Sequence, residues 1–89
     1  MTVDSLYHVS LAKVLIRLRH EKCYTQGKLA MLSGISRKHV SAMEVGSSLP
    51  TLGAFCRLAK GFGMTPVELM RLFEDECGRV SEEISGSEK

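Results

Sequence analysis

Residues 25–46 of this 89-residue chain have the sequence TQGKLAMLSGISRKHVSAMEVG, and the architecture of the whole chain can be worked out from this stretch. Thr25 and Ser36 are residue types that cap the N-termini of helices, and each precedes a segment that is free of proline. Gly34 stands between the two segments, at the position where a left-handed residue ends a helix. The stretch therefore predicts two short helices, over residues 26–33 and 37–45, joined by a tight turn.

The two predicted helices have distinct inner and outer faces. Ala30 is small enough for a close helix crossing, and Val40 and Met43 are spaced to anchor the second helix in a core. The outer face of the second helix begins with two cations, Arg37 and Lys38. Two short helices joined by a tight turn form a helix-turn-helix, and the second helix of that motif enters the major groove of DNA.

Helical patterns continue on both sides of this unit. Leucines at 11, 15 and 18 predict a first helix over residues 5–22. Thr51 is a cap for a fourth helix that ends at about residue 61. Thr65 and Glu68 form a capping box, with Pro66 at the first position of a fifth helix that we end at about residue 75. Because no alternating strand pattern occurs, the predicted fold class is all-α with five helices.

The composition changes after the fifth predicted helix. From residue 78 onward the chain consists mainly of Ser, Glu, Gly and Lys. We predict one domain over residues 5–77, followed by a polar C-terminal tail over residues 78–89 with little tertiary structure. A short helical extension over residues 79–84 is the alternative.

Composition excludes several classes of protein. Hydrophobic residues make up 44% and charged residues 25%, as in ordinary globular domains. No apolar run approaches the roughly 18 residues that a membrane span needs, and no signal peptide is visible. We therefore expect a cytoplasmic protein with no membrane partner. The three cysteines are widely spaced, and we expect no disulfide framework, metal or cofactor. No phosphate loop, GxSxG or HExxH motif occurs, so we expect neither an enzyme nor a small-molecule substrate.

Charge is distributed unevenly along the chain. Residues 1–46 carry seven basic and three acidic side chains, whereas residues 47–89 carry five basic and seven acidic ones. A one-sided basic field suits a polyanionic partner such as nucleic acid. A solvated helix face would give the same count, so charge alone leaves both interpretations open.

The full set of motif residues resembles the Cro/C1-type helix-turn-helix domains, also called the XRE family. The matching residues lie between about 10 and 75 and are Arg19, Thr25, Gln26, Leu29, Ala30, Gly34, Ile35, Ser36, Val40, Glu44, Gly46, Pro50, Leu58, Ala59 and Gly63. The resemblance implies a lambda-repressor-like domain with the helix-turn-helix at helices 2 and 3. It also implies a sequence-specific transcriptional regulator of bacterial or phage type, which binds double-stranded DNA as a homodimer.

The same resemblance implies a role for individual side chains. The candidates for base contacts are Arg37, Lys38, His39, Ser41 and Ala42. The candidates for phosphate contacts are Gln26, Lys28, Ser36 and Ser47. Arginine and lysine favour guanine, whereas the methyl group of Ala42 suits the methyl group of thymine. Arg19 and Glu44 match a structural ion pair between the first and third helices.

The fifth helix is the candidate for the two-fold interface, because a separate dimerisation domain does not fit in this length. Its apolar excess is at Val67, Met70 and Phe73. The alternative function is that of a protein-interaction module on the same fold, such as an antitoxin or a bridging factor. Such a module would hold a partner through the fifth helix and the acidic tail.

Three positions depart from the family pattern. Cys23 stands where the family usually has glycine at the end of the first helix, so strain or a different helix end is expected there. Val45 replaces a polar residue, which weakens a contact to the DNA backbone at that point. Gly27 replaces a residue that favours helices, so the second helix depends on its packing.

Overall fold

The computed structural model describes residues 3–87, and these residues form five helices and no strand. The helices are α1 (Val3–Glu21), α2 (Gln26–Ser33), α3 (Arg37–Glu44), α4 (Leu52–Gly61) and α5 (Pro66–Ser87). The prediction of an all-α fold with five helices is confirmed. Among residues 3–87, no helix is long and apolar enough to cross a membrane.

A single apolar core fixes the orientation of the helix pair α2–α3. Helix α1 packs against α3 and α5, and α2 packs against α3 and α4. The fully buried side chains of this core include Val14, Leu15, Leu29, Val40, Met43, Leu58 and Leu69. Burial of a side chain of this size contributes about 1.5–3 kcal/mol. Because α2 and α3 each insert such side chains, the core sets which of their faces remain in solvent.

Helices α1 to α4 end in the same way, with one residue in the left-handed conformation. Glycine occupies this position after α2, α3 and α4, at residues 34, 46 and 63. After α1 the position belongs to Cys23, whose φ is 57°. The N–H of Cys23 donates to the carbonyl of His20 at 3.0 Å, and the N–H of Tyr24 donates to that of Arg19 at 2.9 Å. Helix α1 therefore ends with the same hydrogen bonds as a helix that has glycine at this position. The side chain of Cys23 adds strain, because residues other than glycine are disfavoured in the left-handed conformation.

Replacing Cys23 by glycine should stabilise the protein. The left-handed conformation costs a residue with a side chain about 1–2 kcal/mol, and glycine offsets part of that gain through its more flexible unfolded state. We expect Cys23→Gly to raise the free energy of unfolding by about 1 kcal/mol in urea denaturation. Cys23→Ala, which removes the thiol and keeps the strain, should give no such gain. Equal stability of the two variants would contradict this account.

Helix α5 continues to Ser87, which corrects the expectation of a tail with little tertiary structure for residues 78–87. Glu76 is 5% exposed and Val80 is 2% exposed, one helical turn apart. Arg17 of α1 donates to Glu76 at 2.9 Å, and the Nζ of Lys13 lies 3.5 Å from an oxygen of Glu83. These contacts with α1 outweigh the low helix propensity of the two glycines and three serines in the segment. Residues 88 and 89 of the expected tail lie outside the described residues.

The Glu76 carboxylate gives the fold a predictable dependence on pH. Burial raises the pKa of Glu76, but hydrogen bonds and charges from Arg79 and Arg17 outweigh burial and lower this pKa below its ordinary value. A carboxyl group with a lowered folded pKa stabilises the fold above its unfolded pKa of about 4.3. That stabilisation is lost as the pH falls through the folded pKa.

Removing this carboxylate should therefore flatten the acid side of the stability profile. We expect the free energy of unfolding of Glu76→Gln, measured in urea between pH 7 and pH 3, to fall less below about pH 4 than that of the unmodified protein. Glu74→Gln, at an exposed position on the same helix, should keep the original profile. A Glu76→Gln profile parallel to that of the unmodified protein would show that the two arginines do not stabilise the charged form.

Candidate nucleic-acid interface

The turn between α2 and α3 has the geometry that its residues predict. The Thr25 side chain caps α2 by accepting from the N–H of Lys28 at 3.0 Å. The Ser36 side chain caps α3 by accepting from the N–H of His39 at 3.0 Å. Gly34 ends α2 in the left-handed conformation, with a φ of 67°. The start of each helix is thus fixed by a local hydrogen bond.

Helix α3 has one buried face and one face in solvent. Val40 and Met43 are fully buried, and Glu44 is 8% exposed. Arg37 and Lys38 are exposed in the first turn, and within residues 3–87 neither forms an ion pair. The other residues predicted to contact bases are half-buried and lie on the same helix: His39, Ser41 and Ala42. The first turn of α3 therefore presents two uncompensated positive charges to solvent.

A hydrogen-bonded ion pair connects α1 to α3. The Nε of Arg19 donates to Glu44 at 2.8 Å, and its Nη2 donates to the other carboxylate oxygen at 3.0 Å. The Nη1 of Arg19 donates to the carbonyl of Tyr24 at 3.0 Å. The two paired side chains are only 15% and 5% exposed. The hydrogen bond to Glu44 raises the pKa of Arg19, burial opposes this rise, and the carboxylate charge adds to it.

The same carboxylate also holds Gln26 at the start of α2. The side-chain amide of Gln26 donates to Glu44 at 3.2 Å. Glu44 therefore accepts hydrogen bonds from side chains of α1 and α2 while it belongs to α3. Because an amide group carries two N–H donors, one donor of Gln26 remains for a ligand.

The other residues predicted to contact phosphate differ in the donors that they have left. Lys28 is exposed on α2. The Ser36 oxygen accepts a hydrogen bond, so its own O–H remains able to donate. Both the hydroxyl and the backbone N–H of Ser47 donate to the carbonyl of Ala42 at 3.0 Å. The Ser47 hydroxyl could therefore donate to a phosphate only if its hydrogen bond to the Ala42 carbonyl broke. The sequence did not reveal this hydrogen bond.

An apolar groove lies on a different part of the surface. Its volume is about 320 Å³, and its lining residues are Tyr7, Leu11, Leu49, Pro50, Thr51, Leu52, Phe55, Met70 and Phe73. Of the residues predicted at a two-fold interface, Met70 and Phe73 line this groove. The third, Val67, is 61% exposed one turn before Met70. The sequence did not reveal the contributions of Tyr7, Leu49 and Leu52, because these residues come from separate parts of the chain.

Comparisons with known proteins agree with this geometry. The family model described as a helix-turn-helix domain matches residues 10–72. An uncharacterised HTH-type transcriptional regulator, y4dJ of Sinorhizobium fredii (strain NBRC 101917 / NGR234), is 39% identical over 54 residues, which are 61% of this chain and 70% of that protein. The crystal structure of the wild-type restriction-modification controller protein C.Esp1396I has a TM-score of 0.71 at 26% identity, covering 79% of this chain and 90% of that one.

A further solved structure shares the fold. It is an HTH_3 family transcriptional regulator from Vibrio cholerae, with a TM-score of 0.74 at 23% identity. The match covers 91% of this chain and 44% of the Vibrio cholerae chain. The likeness therefore extends over nearly all of the five-helix arrangement and over less than half of the longer protein.

Proposed function

The chain belongs to the helix-turn-helix domain family, and on that premise we propose that it regulates transcription by binding double-stranded DNA as a homodimer, with α3 in the major groove. The observation that carries this proposal is the first turn of α3, where Arg37 and Lys38 are exposed without an ion pair. The buried face of α3 and the pair of Arg19 and Glu44 hold that turn in a fixed orientation. The matched regulators and the controller protein support the same function.

Base recognition belongs to the outer face of α3. Arg37 and Lys38 are suited to the O6 and N7 atoms of guanine, and a good bidentate contact provides about 1–3 kcal/mol of discrimination. The Ala42 methyl group is suited to a thymine methyl group. His39 and Ser41 contact bases or phosphates beside them.

Phosphate contacts position α3 in the groove. The amide of Gln26 is oriented by Glu44 at 3.2 Å and donates its second N–H to a phosphate at the start of α2. Lys28 and the Ser36 hydroxyl extend this contact on either side of the turn. Because Glu44 belongs to α3, the helix that contacts bases and the side chain that contacts phosphate are linked through one carboxylate.

A second copy of the chain covers the apolar groove in this proposal. Of the eight exposed large hydrophobic side chains in the described residues, Tyr7, Leu49, Leu52 and Met70 line the groove and Val67 is one turn from it. Such a concentration is typical of an interaction surface. A two-fold dimer would place two recognition helices about 34–36 Å apart, one turn of DNA.

The test is selection of bound duplexes from a random pool, followed by titration of the selected duplex. The expected sequence is a palindrome, and binding should weaken with salt at a logarithmic slope of about −0.9 for each phosphate neutralised. Arg37→Ala should relax the preference at one base pair, whereas Gln26→Ala should weaken binding to all sequences similarly. Arg57→Ala removes an equal charge from an exposed position on α4 and is the matched control. A flat salt response, or equal losses for Arg37→Ala and Arg57→Ala, would contradict the proposal.

The groove also favours a second candidate function, the binding of another protein. In that case Met70→Glu would abolish the activity in the cell, while Arg37→Ala and Lys38→Ala would leave it unchanged. In the homodimer proposal, Met70→Glu yields a monomer in sedimentation equilibrium, and the monomer binds the palindrome more weakly.

A further inference from the structure

Val45 continues the outer stripe of α3 beyond the residues already assigned to DNA. Side chains at intervals of three, four and seven residues share one face of a helix. Counted from Lys38, these intervals give Ser41, Ala42 and Val45. Val45 is 74% exposed, while Val40 and Met43 on the opposite face are fully buried. A single exposed valine is ordinary on a protein surface, but this one stands in line with the recognition residues.

The backbone polar groups around Val45 are already hydrogen-bonded within the protein, so the surface that remains there is mainly apolar. The N–H of Val45 donates to the carbonyl of Ser41 at 3.1 Å, and the N–H of Gly46 donates to that of Met43 at 3.2 Å. The carbonyl of Ala42 accepts from both the N–H and the hydroxyl of Ser47 at 3.0 Å. Because these groups are satisfied within the protein, the last turn of α3 and the residue after it offer DNA the methyl groups of Ala42 and Val45.

The outer face of α3 therefore has two chemically different ends. Its first turn carries the guanidinium of Arg37 and the ammonium of Lys38, whereas its C-terminal end carries the methyl groups of Ala42 and of the C-cap residue Val45. Lys38 and Val45 are seven residues apart, or about 10 Å along the helix axis at about 1.5 Å for each residue. At about 3.4 Å for each base pair, this distance corresponds to about three base pairs.

We propose that Val45 is a specificity-determining residue that, together with Ala42, contacts thymine methyl groups, so that each half-site has guanine under the first turn of α3 and thymine about three base pairs away under its last turn. This inference rests on the proposed function. It adds a residue and a base preference to the same interface, and it assigns a use to the exposed valine in line with the recognition residues.

The experiment combines changes in the protein with the removal of single methyl groups from DNA. Each thymine of the selected duplex is replaced in turn by deoxyuracil, which lacks the 5-methyl group and keeps the pairing edge. Burial of one methyl group is expected to change affinity about fourfold. The unmodified protein should lose about this factor at the thymine under Val45. Val45→Ser should lose a similar factor on the thymine duplex and should then bind thymine and uracil duplexes equally.

Val45→Thr keeps one methyl group and should give an intermediate loss, and far-ultraviolet circular dichroism verifies that both variants are folded. If Val45→Ser weakens the thymine and uracil duplexes by the same factor, Val45 contacts the sugar–phosphate backbone and the inference is wrong. It is also wrong if Val45→Ser binds as tightly as the unmodified protein. Arg37→Ala distinguishes failure of this inference from failure of the proposed function. If Arg37→Ala relaxes the guanine preference, but the effect of Val45→Ser is the same on thymine and uracil duplexes, the regulator proposal stands and only this inference fails.

Discussion

Replacing Glu44 by alanine should lower the free energy of unfolding by about 3 kcal/mol, because it leaves a largely buried guanidinium without its partner. Glu44 accepts two hydrogen bonds from Arg19, at 2.8 and 3.0 Å, and one from Gln26 at 3.2 Å. The 15% exposure of the Arg19 side chain places this value at the low end of the range for buried pairs. Urea denaturation at pH 7 measures the effect.

Two further variants show whether the effect belongs to the pair. Glu74→Ala removes an equal charge from an exposed position of α5 and should change stability by less than about 0.5 kcal/mol. Arg19→Met combined with Glu44→Leu replaces both partners by apolar side chains and should recover most of the loss, since no buried charge remains unpaired. If Glu44→Ala and Glu74→Ala unfold at the same urea concentration, the pair contributes nothing to stability.

Replacing Gly61 by alanine should cost about 2 kcal/mol, although alanine favours helices more than glycine does. Gly61 is the buried last residue of α4, and it lies against Ser33, the last residue of α2. A Cβ on Gly61 would overlap the Ser33 hydroxyl oxygen, and it would lie 3.3 Å from the Cβ and the backbone N of Ser33. Because Ser33 is itself only 4% exposed, its side chain has little room to turn away, and α2 and α4 would have to move apart slightly.

Gly78 provides the matched control for this substitution. It is also a helical glycine, and a Cβ added there would meet no atom within 4 Å. Gly78→Ala should therefore raise the free energy of unfolding by up to about 1 kcal/mol. In a Ser33→Gly background the penalty for Gly61→Ala should largely disappear. Destabilisation of similar size at Gly61 and Gly78 would show that the close crossing of α2 and α4 is not the cause.

Structural features that depend on a few consecutive residues could be predicted from the sequence. The caps at Thr25, Ser36 and Thr51 each accept the backbone hydrogen bond expected of them. The capping box of Thr65 and Glu68 has both of its reciprocal bonds, at 3.0 and 3.2 Å. Local signals of this kind locate the starts of helices because the donor and the acceptor are three residues apart.

Other features depend on partners that are distant in the sequence. In the segment of α5 after residue 77, Val80 is buried and Glu83 lies 3.5 Å from Lys13 of α1, whereas the local composition there predicted a tail. The sequence predicted that the fourth helix ends at about residue 61, as it does, and the structure adds that Gly61 lies against Ser33 of α2. The groove combines apolar side chains from three helices and a loop. The pair of Arg19 and Glu44 was identified by family resemblance, since no local rule relates residues 25 positions apart.

The packing of α1 on α5 also has a consequence for the timing of biosynthesis. Arg17 leaves the ribosomal peptidyl-transferase centre 59 residues before its partner Glu76. At synthesis rates of about 5–20 residues per second, about 3–12 s pass between the synthesis of Arg17 and that of Glu76. During this time the side of α1 that packs on α5 is not covered by α5. Apolar surface exposed during this interval is a target for chaperones, so a slower translation rate should increase the fraction of nascent chains that engage them.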